Sequence, residues 1–214
     1  MDVTPPVDLV LFDLGGVLIE LGGLGAMQDL TGMSAEELWG RWLSCPWVRS
    51  FESGRCSPQI FAEGVVAEWA LPTSPDEFLA RFRRWPTRPF AGAEDLVRDV
   101  AAAVEVGCLS NTNHLHWSDW AGSWPIVDLL PTRFLSFEIG LLKPDREIFD
   151  HVIVKTRLDP ERILFLDDNR INVDSARAAG LRAVRANGTV AARRALEQVG
   201  VLAAPTAALC WPPD

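Results

Sequence analysis

The chain has 214 residues, 48% of them hydrophobic and 23% charged, enough for one domain with a modest insert and too ordinary a composition for a disordered or fibrous protein. Its 29 acidic residues against 20 basic ones leave a net charge of -9 with no Lys/Arg-rich run, which argues against binding to a nucleic acid backbone. No apolar stretch approaches the roughly 18 residues of a membrane span, and the four cysteines form no C-x-x-C pair, so the expectation is a soluble, cytoplasmic protein without an export signal, zinc site or disulfide scaffold.

The first apolar run, Leu9 to Phe12, reads as a strand and is followed by Asp13-Leu14-Gly15-Gly16. A carboxylate thus stands at a strand tip before a glycine pair whose backbone can approach a ligand closely, although a plain turn has the same composition. From 21 to 85 no convincing strand appears, and three helix starts are signalled. Ser34 with Glu37 forms a capping box, Ser57 precedes Pro58, and Ser74-Pro75-Asp76-Glu77 combines both signals. Leu38 and Trp42, then Phe61, Val65 and Trp69, then Phe78 and Phe82, give apolar faces at spacing four, as a small helical bundle needs. Most of the nine tryptophans are expected to fill core and inter-domain space.

Beyond 85, strands and helices alternate. Leu96, Val100 and Val104 recur at helical spacing, Val104 to Leu109 reads as a strand, and Ser110-Asn111-Thr112-Asn113 follows it as a cluster able to donate hydrogen bonds to an anion. Phe134 to Phe137 reads as the next strand. Lys143 then stands just before a helix start, with Ile148, Phe149, Val152 and Ile153 at helical spacing behind it. The run Ile163 to Leu166 leads directly into Asp167-Asp168-Asn169, the helix from Asn172 to Ala179 ends at Gly180, and Ala183-Val184 reads as a last strand. The tail from Ala203 to Asp214 is Ala- and Pro-rich and is expected to pack loosely.

Such alternation predicts an α/β, Rossmann-like doubly wound parallel sheet, with residues 1–20 and 86–214 as core and 21–85 as a small helical cap inserted after the first strand. In these sheets ligands bind at the carboxyl ends of strands, where Asp13, Ser110, Lys143 and Asp167-Asp168 all stand. Three carboxylates facing one lysine need a compensating cation at low dielectric, and oxygen ligands without nearby His or Cys suit Mg2+. An N-cap pair for the following helix accounts for one of Asp167 and Asp168 more easily than for both.

Phe12 to Leu18, Ser110-Asn111, Lys143-Pro144 and Leu166 to Asn169, in this order and spacing, resemble the four motifs of the haloacid dehalogenase-like (HAD) hydrolase superfamily. The likeness spans most of the chain, and Phe51 to Ser57 is similar to the turn that introduces a cap helix there. Within the superfamily the chain most resembles small-cap phosphatases acting on sugar phosphates such as glucose 1-phosphate, and the N-terminal phosphatase domain of soluble epoxide hydrolase. The resemblance implies a Mg2+-dependent hydrolase of a small phosphorylated metabolite, acting as a monomer or homodimer without nucleic acid or membrane partners. Asp13 would form an aspartyl-phosphate. Ser110, Lys143 and the backbone near Leu14, Gly15 and Asn111 would hold the phosphoryl oxygens. Asp168 with Asp167, an Asp13 oxygen and the Gly15 carbonyl would hold Mg2+, supported by Asn172 and Asp174.

Gly15 departs from the family pattern, which has a second Asp there as general acid and base, a group worth about 100 to 10,000-fold in rate. His114 or His116 could replace that proton donor. Arg49 and Arg55, in the cap segments 21–25 and 46–55 expected to set specificity, are candidates for a second anionic group. Two alternatives follow: a catalytically weak or inactive phosphometabolite-binding protein, favoured by Gly15, and a 2-haloacid dehalogenase, disfavoured by Asp167-Asp168 and Gly15.

Overall fold

A central parallel sheet arises because the chain's most apolar short runs are buried on both faces and must be covered by helices on each side. The computed structural model describes residues 6–204. Its elements are β1 (Leu9–Phe12), β2 (Ile19–Leu21), α1 (Gly23–Thr31), α2 (Ala35–Ser44), α3 (Pro46–Glu52), α4 (Pro58–Glu68), α5 (Pro75–Phe82), β3 (Pro86–Pro89), α6 (Ala93–Ala101), β4 (Glu105–Ser110), α7 (His114–Trp120), β5 (Thr132–Leu135), α8 (Ser136–Ile139), α9 (Arg146–Thr156), β6 (Ile163–Asp167), α10 (Arg170–Ala178), β7 (Arg182–Arg185) and α11 (Gly188–Gln198). Five strands pair in the order β5-β4-β1-β6-β7, every pairing parallel. Alternate side chains divide the core. Val10, Phe12, Leu164 and Leu166 pack under α6 and α11, while Leu9, Leu11, Ile163 and Phe165 pack under α9 and α10.

The strand order changes direction beside β1, which lies between β4 and β6. Phe12 is level with Cys108 and Leu166. Carrying the register one residue further sets Asp13 beside Asp167, at the point where crossovers diverge and a crevice opens.

Helices α1 to α5 share their own apolar cluster, built on Trp42, Phe51, Phe61, Val65, Trp69, Phe78 and Phe82. Ser34 and Glu37 form the reciprocal capping box, and Ser57 accepts from the Ile60 N–H. At α5 only half of the expected box forms: Ser74 accepts from the Glu77 N–H, while the Glu77 carboxylate binds Thr73 and Arg81. Five helices stand where three starts are signalled. Helices α1 and α3 lack a side-chain N-cap, which is why no start was legible for them.

An antiparallel ribbon of β2 and β3 flanks these helices, with Ile19 opposite Pro89 and Glu20 opposite Arg88. Two prolines in four residues hid β3, since proline is tolerated only in edge strands. The expected strand Phe134 to Phe137 is divided: β5 ends at Leu135 and α8 begins at Ser136, an ambiguity inherent in short apolar runs. Val104 lies past the end of α6, packed against the core. Of the tail, 205–214 lie outside the described residues, and with them Cys210. Among the described residues no helix is long and apolar enough to cross a membrane.

Phe61 is fully buried and its ring stacks on Phe51 at 4.5 Å, meets Trp42 edge-on and packs tilted against Phe78 and Phe82. Phe61→Ala should therefore destabilise the protein by about 3–5 kcal/mol, the usual range for a buried phenylalanine, as read by urea unfolding. A loss below about 1 kcal/mol would show that α1 to α5 do not unfold with the sheet.

Candidate active site

Asp13 ends β1, and its Oδ1 accepts from the Leu14 N–H at 2.7 Å and faces Lys143 Nζ at 3.0 Å. Lys143 is 1% exposed, and the same ammonium donates to Asp167 Oδ2 at 2.7 Å. Asp167 is fully buried, and its oxygens also accept from the Asn169 N–H and from Asn172 Nδ2. Asp168, next along the chain, joins Asp13 and Asp167 in a cluster whose carboxylate oxygens lie within 4.8 Å of one another.

Three carboxylates against one ammonium leave an excess of negative charge. Burial pushes the Asp13 carboxyl up to about 6, with Lys143 pulling it down and Asp167 pushing it further up. Asp168 rises to about 7 through burial and then the charges of Asp13 and Asp167. Lys143 moves to about 12, because the attraction of Asp13 and Asp167 outweighs the burial that would lower it. The donor set is all oxygen, which fits Mg2+. Asn172 adds a second sign of fit: its Nδ2 is taken by Asp167, while its buried Oδ1 has no partner and can accept from a metal-bound water. Asp174 does not join it. It lies on the outer face of α10, paired with Arg170 and Arg177, because two residues along a helix turn the side chain away.

The β4 tip closes the other side. Ser110 is buried and lines the pocket over Asp13. Asn111 also lines it, but its side-chain amide is engaged both ways with the Lys143 backbone, donating from Nδ2 and accepting at Oδ1, each at 2.9 Å. That clamp fixes Lys143 relative to β4 and leaves one Nδ2 hydrogen of Asn111 for a ligand.

Both glycines after Asp13 are constrained. Gly16 has φ +77 and a Cβ there would collide with the Asp168 carboxylate. Gly15 has no such backbone demand, but a Cβ would come within 2.9 Å of Leu21 Cδ1. An apolar side chain from β2 thus fills the space beside residue 15.

Neither histidine suits a proton donor. His116 Nδ1 faces Asn113 Nδ2 and Nε2 faces the Phe82 carbonyl, an arrangement that holds the ring neutral, and burial lowers its pKa to about 4. His114 is exposed, set against Phe51, and does not line the pocket. Arg49 and Arg55 also stand elsewhere. Arg49 pairs with Asp145 and Arg55 donates to the Gly140 carbonyl, both lining a separate hollow between α3 and the connection before α9.

The pocket contains further residues that the sequence did not single out, although Leu21 and Glu52 fall in the segments 21–25 and 46–55 expected to set specificity. Glu52, at the end of α3, is 8% exposed and accepts from Trp42 Nε1 at 3.2 Å. Burial raises its pKa to about 7, against the pull of Trp42 and Lys143. Leu21, Trp39, Trp42, Leu43, Phe82 and Trp85 complete the wall opposite Asp13. Helical spacing marked Trp42 and Phe82 as apolar-face residues, and they serve the bundle core and the pocket together.

No family model matches the chain. It is 26% identical to a sesquiterpene phosphatase of Aspergillus oryzae, over 88% of this chain and 94% of the relative. It is 25% identical to a D-ribitol-5-phosphate phosphatase of Bacteroides thetaiotaomicron, over 80% and 87%. A HAD family enzyme of B. thetaiotaomicron, solved as a magnesium complex, superposes with a TM-score of 0.67 at 25% identity, covering 86% of this chain and 94% of that one.

The acids of the pocket give a signed pH dependence. Asp13, Asp168 and Glu52 hold protons to about 6, 7 and 7 when folded, but only to about 4 when unfolded. The folded state therefore binds more protons between about pH 4 and 7, and stability falls as pH rises through that window. His116 works in the opposite sense below about 6.5, one imidazole against three carboxyls. In chelator the Tm should fall from pH 5 to pH 8, and Asp168→Asn should flatten part of that fall. A Tm that rises with pH in chelator and ignores this substitution would contradict a crowded carboxylate site.

Proposed function

We propose that this chain, a hydrolase of the HAD fold, is a Mg2+-dependent phosphomonoesterase that works through an aspartyl-phosphate on Asp13. The observation that carries the reading is the buried Lys143 held between Asp13 and Asp167, with Asp168 closing a three-carboxylate cluster at the strand tips. We take 21–85 as the cap and 1–20 with 86–214 as the core. Asp13, Asp168, Asp167 and the Gly15 carbonyl would hold the ion. Mg2+ bound there supplies positive charge to phosphoryl oxygens and lowers the proton affinity of the carboxylates.

The chain's own residues account for the remaining steps. The Leu14 N–H and Lys143 fix the Asp13 carboxylate for attack on phosphorus, and the bond to the leaving oxygen breaks as the Asp13–phosphorus bond forms. Lys143 and the Ser110 hydroxyl face the phosphoryl oxygens and stabilise charge in the transition state. The leaving oxygen needs a proton. Gly15 has none to give, His116 is locked, and His114 is off the pocket, whereas Glu52 lines the pocket as a carboxyl with a pKa near 7. We assign Glu52 as the proton donor. Its carboxylate then takes the proton of the water that attacks the aspartyl-phosphate, releasing inorganic phosphate and restoring Asp13. Asp167 acts as the anchor of Lys143, so that the ammonium stays charged in a buried site.

Two phosphatases among the relatives support the reaction class. Binding without turnover remains the competing reading because of Gly15, and one experiment separates the two. Asp13→Asn, nearly isosteric, should keep the fold and lower phosphate release by about 1,000-fold or more. Retention of wild-type turnover would refute the covalent mechanism. Glu52→Gln should slow alkyl phosphates about 100-fold and aryl phosphates far less, because a good leaving group departs without a proton. Equal loss on both classes would remove Glu52 from the acid role.

A further inference from the structure

We infer that the pocket beside Asp13 is built for an apolar leaving group, so that the substrate is the phosphate monoester of a hydrocarbon or aromatic alcohol rather than of a sugar. This rests on the phosphatase reading, which places the phosphorus at Asp13 and therefore the leaving group against the wall opposite.

That wall comes from Leu21, Trp39, Trp42, Leu43, Phe82 and Trp85, and Glu52 is the only polar residue that α2, α3 and α5 add to it. No lysine, arginine, hydroxyl or amide side chain reaches the pocket from these helices. The polar groups on or beside that wall are engaged, Trp42 Nε1 donating to Glu52 and Asn113 and His116 binding each other, and the unpartnered polar atoms of the pocket, Thr112 Oγ1 and Asn172 Oδ1, belong to the sheet side around Asp13. A sugar hydroxyl set against that wall would leave water without gaining a partner, at a cost of roughly tenfold or more in affinity for each.

A small recess of about 20 Å³ shares this lining and is formed, among the described residues, by Leu21, Leu38, Trp39, Trp42 and Trp85 alone. A lining made wholly of leucine and tryptophan suits hydrocarbon rather than hydroxyl groups. The Gly15 position agrees with this. A Cβ there would meet the Leu21 side chain at 2.9 Å, so the apolar lining reaches to within two residues of Asp13. The arginines that could have read a second charged group, Arg49 and Arg55, line the other hollow.

The test uses the full chain with Mg2+ and straight-chain alkyl phosphates from butyl to decyl, beside ribitol 5-phosphate and acetyl phosphate. Released phosphate is measured, and the corresponding alkylphosphonates are titrated calorimetrically into the same protein. The expected result is a rise in kcat/KM and in phosphonate affinity of about fourfold per methylene until the recess is filled. Ribitol 5-phosphate should fall at least about 100-fold below the best alkyl ester. Trp39→Ala, at a half-buried position, should cut the gain to below about twofold per methylene, and Trp85→Ala should do the same if it folds.

A flat response to chain length, or ribitol 5-phosphate as the better substrate, would overturn the apolar pocket while leaving the hydrolase intact. A wild-type slope in Trp39→Ala would also overturn it. Chain-length-dependent phosphonate binding with no phosphate released from any ester, acetyl phosphate included, would uphold the pocket and sink the phosphatase reading.

Discussion

A lysine ammonium with 1% of its surface exposed is the constraint on which the rest of the site depends. An unpaired charge at that depth would cost several kcal/mol, so Lys143 must be met by carboxylates whose positions are themselves fixed. Asp13 and Asp167 meet it because β1 and β6 pair in parallel with Phe12 level with Leu166, which brings the two strand tips side by side. The Asn111 amide then holds the Lys143 backbone from the β4 side. Hydrogen bonding, register and charge therefore support one arrangement. Its remaining imbalance, expressed in the raised pKa of Asp13 and Asp168, is what makes the place suited to a divalent cation.

Close approach along β1 sets the second limit. Residue 16 must be glycine, since its φ is +77 and the Asp168 carboxylate occupies the space a side chain would need. The chain then turns directly into β2, whose Leu21 packs beside Gly15 and begins the apolar wall of the pocket. Helices α1 to α5 follow with a cluster of their own and meet the sheet's helices through exposed pairs, Arg83 with Asp119 and Arg49 with Asp145, and through buried contacts, the Phe82 ring and carbonyl against His116 and the Glu52 carbonyl accepting from Ser136 Oγ. Exposed pairs of this kind contribute at most about 1 kcal/mol each.

Much of this was legible along the chain because it is local. Apolar runs of four to six residues, each followed at once by a polar residue, marked β1, β4 and β6 and the positions of Asp13, Ser110 and Asp167-Asp168. The capping box at Ser34 and the Ser57-Pro58 start need only neighbouring residues, and both form. Elements without such signatures were hidden. Helices α1 and α3 have no side-chain cap, β3 carries two prolines, and the apolar run at Phe134 changes from strand to helix after Leu135.

By itself, then, the sequence determined the alternation of strands and helices, the carboxylates at strand tips, and an excess of negative charge that one lysine cannot balance. Which groups are free was decided only in three dimensions. Asn172 faces Asp167 while Asp174 faces solvent, His116 has both ring nitrogens engaged, and the Asn111 side chain holds backbone. Leu21 stands at Gly15, and Glu52 enters the pocket from a helix with no cap signal. The physical reason is that these facts depend on contacts between residues tens of positions apart. Strand register and side-chain packing set such contacts, and no local pattern encodes them.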